Sequence, residues 1–320
     1  MSLRMAVAVL VWLSIPAIAQ EAYPARPVKF VVPFAAGGPL DVTARLVGQK
    51  LTEQWGRPVV VENQVGGSGS IGAAAVARAA PDGYTLLVTV DIPLTMYPAV
   101  AKQVPYNPRT DFRPIAAVAR SDNGLFVNPA LGVSSVKELV ELAKKQPGKL
   151  TYASSGVGNS DHLCGVLFNL QAGIEAVHVP YKGGAPAVQD LLPGRVDYYF
   201  AGMPVGLPLA KSGRARAFGV TGKQRFEGAP ETPTIAEQGL PDYEATLWQG
   251  FFAPSGIDRA LASRIAKDIV AVVAQPDTRA KLESAGVSLF QDNQANFDRY
   301  YHSEIAKWRN VVHKANLKLE

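Results

Sequence analysis

Residues 28–45, VKFVVPFAAGGPLDVTAR, read as a buried strand, a glycine turn and the opening of a helix. Val28, Phe30, Val31 and Val32 favour strand, and the near absence of polar residues suits a strand covered on both faces. Pro33 ends the strand. Gly37-Gly38 allows a tight turn that carries no side chain. Pro39 suits a first helical position, where its missing N–H would have no partner anyway. Backbone N–H groups at such a turn, with the positive end of a helix behind them, favour an anion. The turn is therefore expected to form half of a carboxylate site. Asp41 falls in the first helical turn, where the dipole favours a carboxylate; it either belongs to the site or braces the glycine loop.

The same pattern continues outward. After a helix near Pro39–Gln54, PVVVE (58–62) is a second buried strand, NQVGGSGSIG (63–72) a glycine-rich turn into a helix, and YTLLVT (84–89) a third strand. This βαβαβ order predicts a parallel sheet with right-handed crossovers and an α/β class. Residues 91–108 hold four prolines and read as loop. Residues 115–119 and 124–127 read as short strands crossing between lobes. Ser135 and Glu138 fit a capping box. A second βα series follows: strand 150–153, turn 154–160, helix 161–172, strand 176–179, helix 183–192, strand 196–200, helix 204–211 and strand 215–220. Residues 248–253 cross back. Amphipathic helices are expected over 258–274, 278–285 and 294–315, packed on the first lobe. Asp258 and Asn293 are expected N-caps, and Gly286 ends the middle helix. With 320 residues, the chain exceeds one ordinary core and suits two lobes: 20–122 with 249–320, and 123–248.

The start, MSLR, precedes an apolar run to Ile18 and the A-x-A signal Ala17-Ile18-Ala19. This is the pattern of a secretory signal peptide over residues 1–19, cleaved near Ala19, and it implies an exported protein. The single cysteine, Cys164, permits no intrachain disulfide and reads as a buried small hydrophobe. The net charge of +5 is interspersed, with no basic tract interleaved with aromatics, so nucleic acid is not an expected partner.

Ser154-Ser155-Gly156-Val157-Gly158-Asn159-Ser160 mirrors the first turn. Ligands in open α/β sheets sit beyond the carboxyl ends of strands, so two such turns, one per lobe, would face each other across a cleft. GSGSIG (67–72) matches a dinucleotide fingerprint, but it follows the second strand rather than the first and reads better as a tight turn; no cofactor is expected. Ser160 and His162 invite a hydrolase reading. The G-x-S-x-G pattern is broken, however, and residues two apart on a helix point different ways, so His162 reads as a structural hydrogen-bond partner. No metal-spaced cluster surrounds His178 or His302. Tyr181-Lys182-Gly183-Gly184 either closes a site or merely starts a helix.

These blocks together resemble the periplasmic receptors of the tripartite tricarboxylate transporters, the Bug family. The resemblance runs from Tyr23 to the C-terminus through YPARPVKFVVPFAAGGPLDVTARLV, PVVVEN, GGSGSIGAAAVARAAPDGYTLL, PYNPRTDFRPIA, KQPGKLTYASSGVGNSDHL, HVPYKGGAPAVQDLL, ETPTIAEQGLPDYE and EIAKW. It implies a two-lobe Venus-flytrap protein, not an enzyme, that holds a small carboxylate or dicarboxylate in the periplasm. The membrane partner would be the transporter's own subunits or, in a sensing role, a kinase. The resemblance places Phe34, Ala35, Ala36, Gly37, Gly38 and Asp41 in the first ligand loop. Ser154, Ser155, Gly156, Gly158, Asn159, Ser160 and His162 fall in the second. Tyr181, Gly202 and Met203 would contribute from the second lobe. Asp91 and Asp161 stand where relatives usually carry small or hydroxyl residues, and Ala201-Gly202-Met203 where a polar segment is more common. An added acid near a carboxylate site repels the ligand unless it meets a donor, so Asp91 is a further expected ligand residue and an amino, ring-nitrogen or hydroxyl group an expected ligand feature. Otherwise Asp91 and Asp161 point to solvent or cap a helix. An exported hydrolase would need a paired nucleophile and base.

Overall fold

The parallel core grows from the opening stretch. A computed structural model describes residues 23–285, 287–292 and 294–317; the signal-peptide reading and the roles given to Gly286 and Asn293 lie outside them. β1 (Val28–Val32) lies between β2 (Val59–Asn63) and β3 (Thr85–Val90), parallel to both. α1 (Pro39–Trp55) and α2 (Ser70–Ala77) connect them. Each begins directly after a glycine turn, and Pro39 stands at the helix start as expected. The second series repeats the plan. β5 (Thr151–Ser154) lies parallel between β6 (Val177–Pro180) and β7 (Tyr198–Gly202), linked by α5 (Ser160–Ala172) and α6 (Gly184–Leu191). α7 (Met203–Lys211) and β8 (Arg216–Val220) follow.

One long strand joins the two halves. β4 (Phe112–Val127) is 16 residues long. As far as Asp122 it pairs antiparallel with β9 (Thr246–Pro254); from Asn123 it pairs with β7 and β8. The sheet order is β2-β1-β3-β9-β4-β7-β5-β6, with β10 (Ser288–Asp292) and β8 also on β4. Two short strands, 115–119 and 124–127, were expected here, with Arg120–Asn123 between them. The break does not occur because these residues keep partners in the sheet: Ser121 pairs with Leu247 and Asp122 with Thr246, while Asn123 and Thr221 exchange hydrogen bonds. Residues 91–108 are also more ordered than expected. They form a π-helical turn, Ile92–Met96, and α3 (Tyr97–Val100). Pro93 and Pro98 sit in the first turns of these segments, where a missing N–H is harmless.

Helix caps follow the sequence closely. Asp258 accepts from Leu261 N at the start of α8 (Arg259–Val273). Ser135 Oγ accepts from Glu138 N at the start of α4 (Val136–Lys145), while Glu138 reaches back to Ser134 rather than to Ser135. α8 and α9 (Pro276–Ser284) pack on the first half, as expected. α10 (Gln294–Lys314) does not stay there. Its Phe297, Tyr301 and Ile305 enter the core around Trp248 and Phe252, whereas Trp308, Val311 and Val312 enter the core around Tyr198, Phe168 and Leu163. At 21 residues the helix is about 30 Å long, enough to reach from one half-sheet to the other. Among the described residues no helix is long and apolar enough to cross a membrane.

Candidate functional site

The first turn is held by its own helix. Asp41 is buried on α1, and its Oδ2 accepts from Gly37 N at 2.9 Å and from Arg45 Nε at 2.9 Å. Its Oδ1 accepts from Asn63 Nδ2, which also donates to Phe34 O. Burial alone would raise the Asp41 carboxyl; the bonds from Arg45, Gly37 and Asn63 outweigh it and bring its pKa to about 2. Asp41 thus braces the glycine loop. Gly37 has φ +85, a conformation an L side chain resists. Ala35, Ala36 and Gly37 are exposed. Among the described residues the amides of Ala35 and Ala36 have no protein acceptor.

The second turn uses the same device. Asp161, in the first turn of α5, accepts from Ser155 N at 2.7 Å, from His162 N at 2.9 Å and from Tyr199 OH at 3.0 Å. Burial nevertheless leaves its pKa raised. Asp161 is a brace with its acceptors in use, not a free acid facing a ligand. His162 is buried and its Nδ1 accepts from Gly158 N at 3.1 Å, the structural role expected of it. Asn159 Nδ2 donates to Ser155 Oγ, and Ser154 Oγ lies 2.6 Å from His178 Nε2. Ser154 is fully buried, so this pair fixes the strand end and is not an open nucleophile and base. Among the described residues the amides of Val157 and Ser160 have no protein acceptor.

The segment after β3 lies against the Gly69 turn and the second turn. Gly69, in the tight turn before α2, approaches Phe34 and Pro93 so closely that a Cβ there would lie 3.1 Å from Pro93 and 3.3 Å from Phe34. A Cβ on Gly158 would lie 2.9 Å from Val100 and 3.3 Å from Tyr97. Gly69, which also lies against Phe34 of the first turn, and Gly158 of the second turn thus approach one short stretch, residues 93–100. Asp91 heads that stretch. It is fully buried, its carbonyl accepts from Leu94 N and Thr95 N, and its two carboxyl oxygens have no hydrogen-bond partner among the described residues.

The remaining expected residues are placed as follows. Tyr181 N donates to Ser154 O, while its phenol turns away to Asp190 Oδ2 at 2.8 Å. Gly202 ends β7, and the Met203 side chain is wholly buried beside Gly124, leaving its main chain as what it can offer a ligand. Cys164 is buried, as expected; burial pushes its thiol up to about 12. Arg45, Asn63 and Tyr199 were missed. The Asp41–Arg45 spacing of four on a helix carried a signal, whereas Asn63 and Tyr199 arrive only through sheet register. A groove of about 780 Å³ lies elsewhere, between α5, the β6 edge and the end of α10, lined by Tyr152, His162, Val166, His178 and Lys314. Among the described residues no group of three or more His, Cys, Asp or Glu side chains is placed to hold a metal.

The family model described as "Tripartite tricarboxylate transporter family receptor" matches residues 43–317. "UPF0065 protein in tcbD-tcbE intergenic region" of Pseudomonas sp. (strain P51) is 36% identical over 91% of this chain and 87% of its own length. "Protein BugT" of Bordetella pertussis is 33% identical over 95% and 93%. Among solved structures, "R. palustris Rpa4515 with adipate" matches with TM-score 0.78 and 34% identity, covering 92% of this chain and 99% of that one. "MatC (Rpa3494) from Rhodopseudomonas palustris with bound malate" gives 0.74 and 29%, covering 91% and 100%.

Proposed function

Since the chain belongs to the tripartite tricarboxylate transporter receptor family of periplasmic solute-binding proteins, we propose that its two halves are lobes which capture a small organic carboxylate for the transporter's membrane subunits. The lobes would be residues 20–122 with 249–320, and 123–248, divided where β4 exchanges β9 for β7 and β8. Export would follow cleavage near Ala19. The mechanism is capture, not chemistry.

The observation that supports this reading is the pair of braced turns. In each, a buried aspartate in the first turn of a helix binds an amide of its own loop, and neighbouring amides are left without acceptors. Fixed donors of this kind need no reorganisation when a carboxylate arrives. Hydrogen bonds to a charged group contribute roughly 1.5–3 kcal/mol each, and micromolar affinity needs about 8 kcal/mol. A few such bonds, with burial of the ligand's carbon skeleton, are sufficient. Because the full donor set is complete only when the lobes are together, the ligand favours the closed form. Adipate and malate, bound by two similar proteins, are the natural first probes.

The test is calorimetry with adipate, malate and succinate on the mature chain, alongside Gly158→Val. Position 158 has φ +82 and a Cβ there would meet Val100, so the variant deforms the second turn. Binding by the native chain and at least a tenfold loss in the variant is expected. No binding of any of the three acids at millimolar concentration would count against the reading.

A further inference from the structure

Buried polar groups in folded proteins nearly always have partners, and an exception calls for a cause. The Asp91 carboxyl is such an exception: it is fully buried, and neither oxygen has a well-formed hydrogen bond, although the backbone amides of Asp91 and Ile92 lie near enough to favour its charged form. Its surroundings make the omission specific. β3 pairs with β9 through Val90 and Gln249, and Asp91 follows directly, where the chain leaves the strand and turns into the π-helical segment. α10 contributes Glu304, Lys307 and Tyr300, and α5 contributes Cys164, as the titratable groups nearest the carboxyl. Lys307 is committed elsewhere: its Nζ donates to Glu304 Oε1 at 2.9 Å, and Trp308 Nε1 donates to Glu304 Oε2 at 3.0 Å. Glu304 is thereby compensated and Asp91 is not. Burial keeps Tyr300 and Cys164 in their neutral forms, so neither adds charge. The local count is one positive charge short when Asp91 is ionised.

We propose that Asp91 receives a protonated nitrogen carried by the bound carboxylate, so that the ligand belongs to the class of small acids bearing an ammonium group. This rests on the capture reading above and narrows it. The position fits, since Asp91 directly follows β3, neighbour of the strand that feeds the first glycine turn, and precedes the stretch that Gly69 and Gly158 approach. An ammonium supplies the missing charge and up to three donors. Without a ligand, burial and the nearby Glu304 push the carboxyl well above the usual carboxylate range, favouring its protonated form. Arrival of the cation ionises it, and binding releases a proton.

Two matched pairs test this by calorimetry at pH 7: adipate with 2-aminoadipate, and succinate with aspartate. The members of each pair differ by one ammonium group. The native chain is expected to favour the amino member of at least one pair tenfold or more. Its binding enthalpy for that member should differ between Tris and phosphate buffers, reporting the released proton. Asp91→Asn keeps the shape and removes the charge. It should weaken the amino member at least tenfold, leave the plain member within about threefold and abolish the buffer dependence. Its melting temperature should stay close to the native value, because a neutral amide of the same shape replaces an acid that burial already keeps from charging. Equal affinity for both members, or an equal loss for both in Asp91→Asn, overturns the assignment and leaves carboxylate capture standing. Failure of all four acids to bind overturns both.

Discussion

Asp41 and Asp161 occupy comparable places, and their different partners give them different titrations. Asp41 is paired with a guanidinium, so its folded pKa lies near 2, against an ordinary value near 3.9. A depressed carboxylate contributes stability in full above its unfolded pKa and loses it as pH falls through the folded one. The Arg45 side chain is half exposed, and screening reduces the contribution to about 1–2 kcal/mol. Asp41→Asn should therefore lower the unfolding free energy from urea titration at pH 7 by that amount, and the gap to the native chain should narrow as pH falls from about 4 toward 2. A gap that stays constant over that range would show that Asp41 is not ionised against Arg45 in the fold. Part of this was legible in the sequence. A carboxylate in the first turn of a helix after Gly-Gly-Pro announces a dipole contact or a brace, and Arg45 stands four residues on. Asn63 closes the bracket from β2, 22 residues away, and no local pattern signals it.

At the scale of elements, β5, β6 and α5 are clasped by a column of rings. His162 and His178 stack with centroids 3.9 Å apart, and Tyr152 stacks on His178 at 4.9 Å. Burial lowers the two histidines, to about 3 for His162, with His178 adding to it, and to about 4 for His178. Both are therefore neutral in the folded protein at pH 6, while in the unfolded chain they charge below about 6.5. The unfolded state then binds more protons, so stability is complete above pH 6.5 and falls as pH drops toward 4 and 3. Two protons set an upper slope of about 2.7 kcal/mol per pH unit; the true slope is smaller because His178 is partly exposed. Denaturant midpoints measured from pH 7 to 4.5 should show this fall, and His162→Gln with His178→Gln should flatten it. An unchanged slope in the double variant would place the acid sensitivity elsewhere. The elements themselves were largely readable, because hydrophobic runs and glycine turns are local signals. The column was not, since parallel register alone sets His178 beside Tyr152. β10 and the π-helical turn also escaped reading: one is a short strand after a helix, and the other hides behind prolines that act as helix starts.

Across the whole molecule, β4, β9 and α10 carry the connection between the halves. The crossing strands were visible as apolar runs, but the reach of α10 was not, because an amphipathic stripe does not reveal how many cores it enters. Trp308 is its anchor in the second core. The side chain is fully buried, and its Nε1 satisfies Glu304. Trp308→Ala removes a large core side chain, at a cost of about 3–5 kcal/mol, and leaves a buried carboxylate oxygen short of a donor, about 1–3 kcal/mol more. The loss falls on the contact of α10 with the second half, while Phe297, Tyr301 and Ile305 still hold the helix to the first. The two halves should then melt separately. Calorimetry should resolve one transition in the native chain and two in Trp308→Ala, with the lower one belonging to the second half. A carboxylate that bridges both glycine turns should draw the two transitions back together, because it binds only when both halves are folded. A single cooperative transition in the variant, merely shifted down in temperature, would mean that β4 and β9 alone suffice to make the halves one unit.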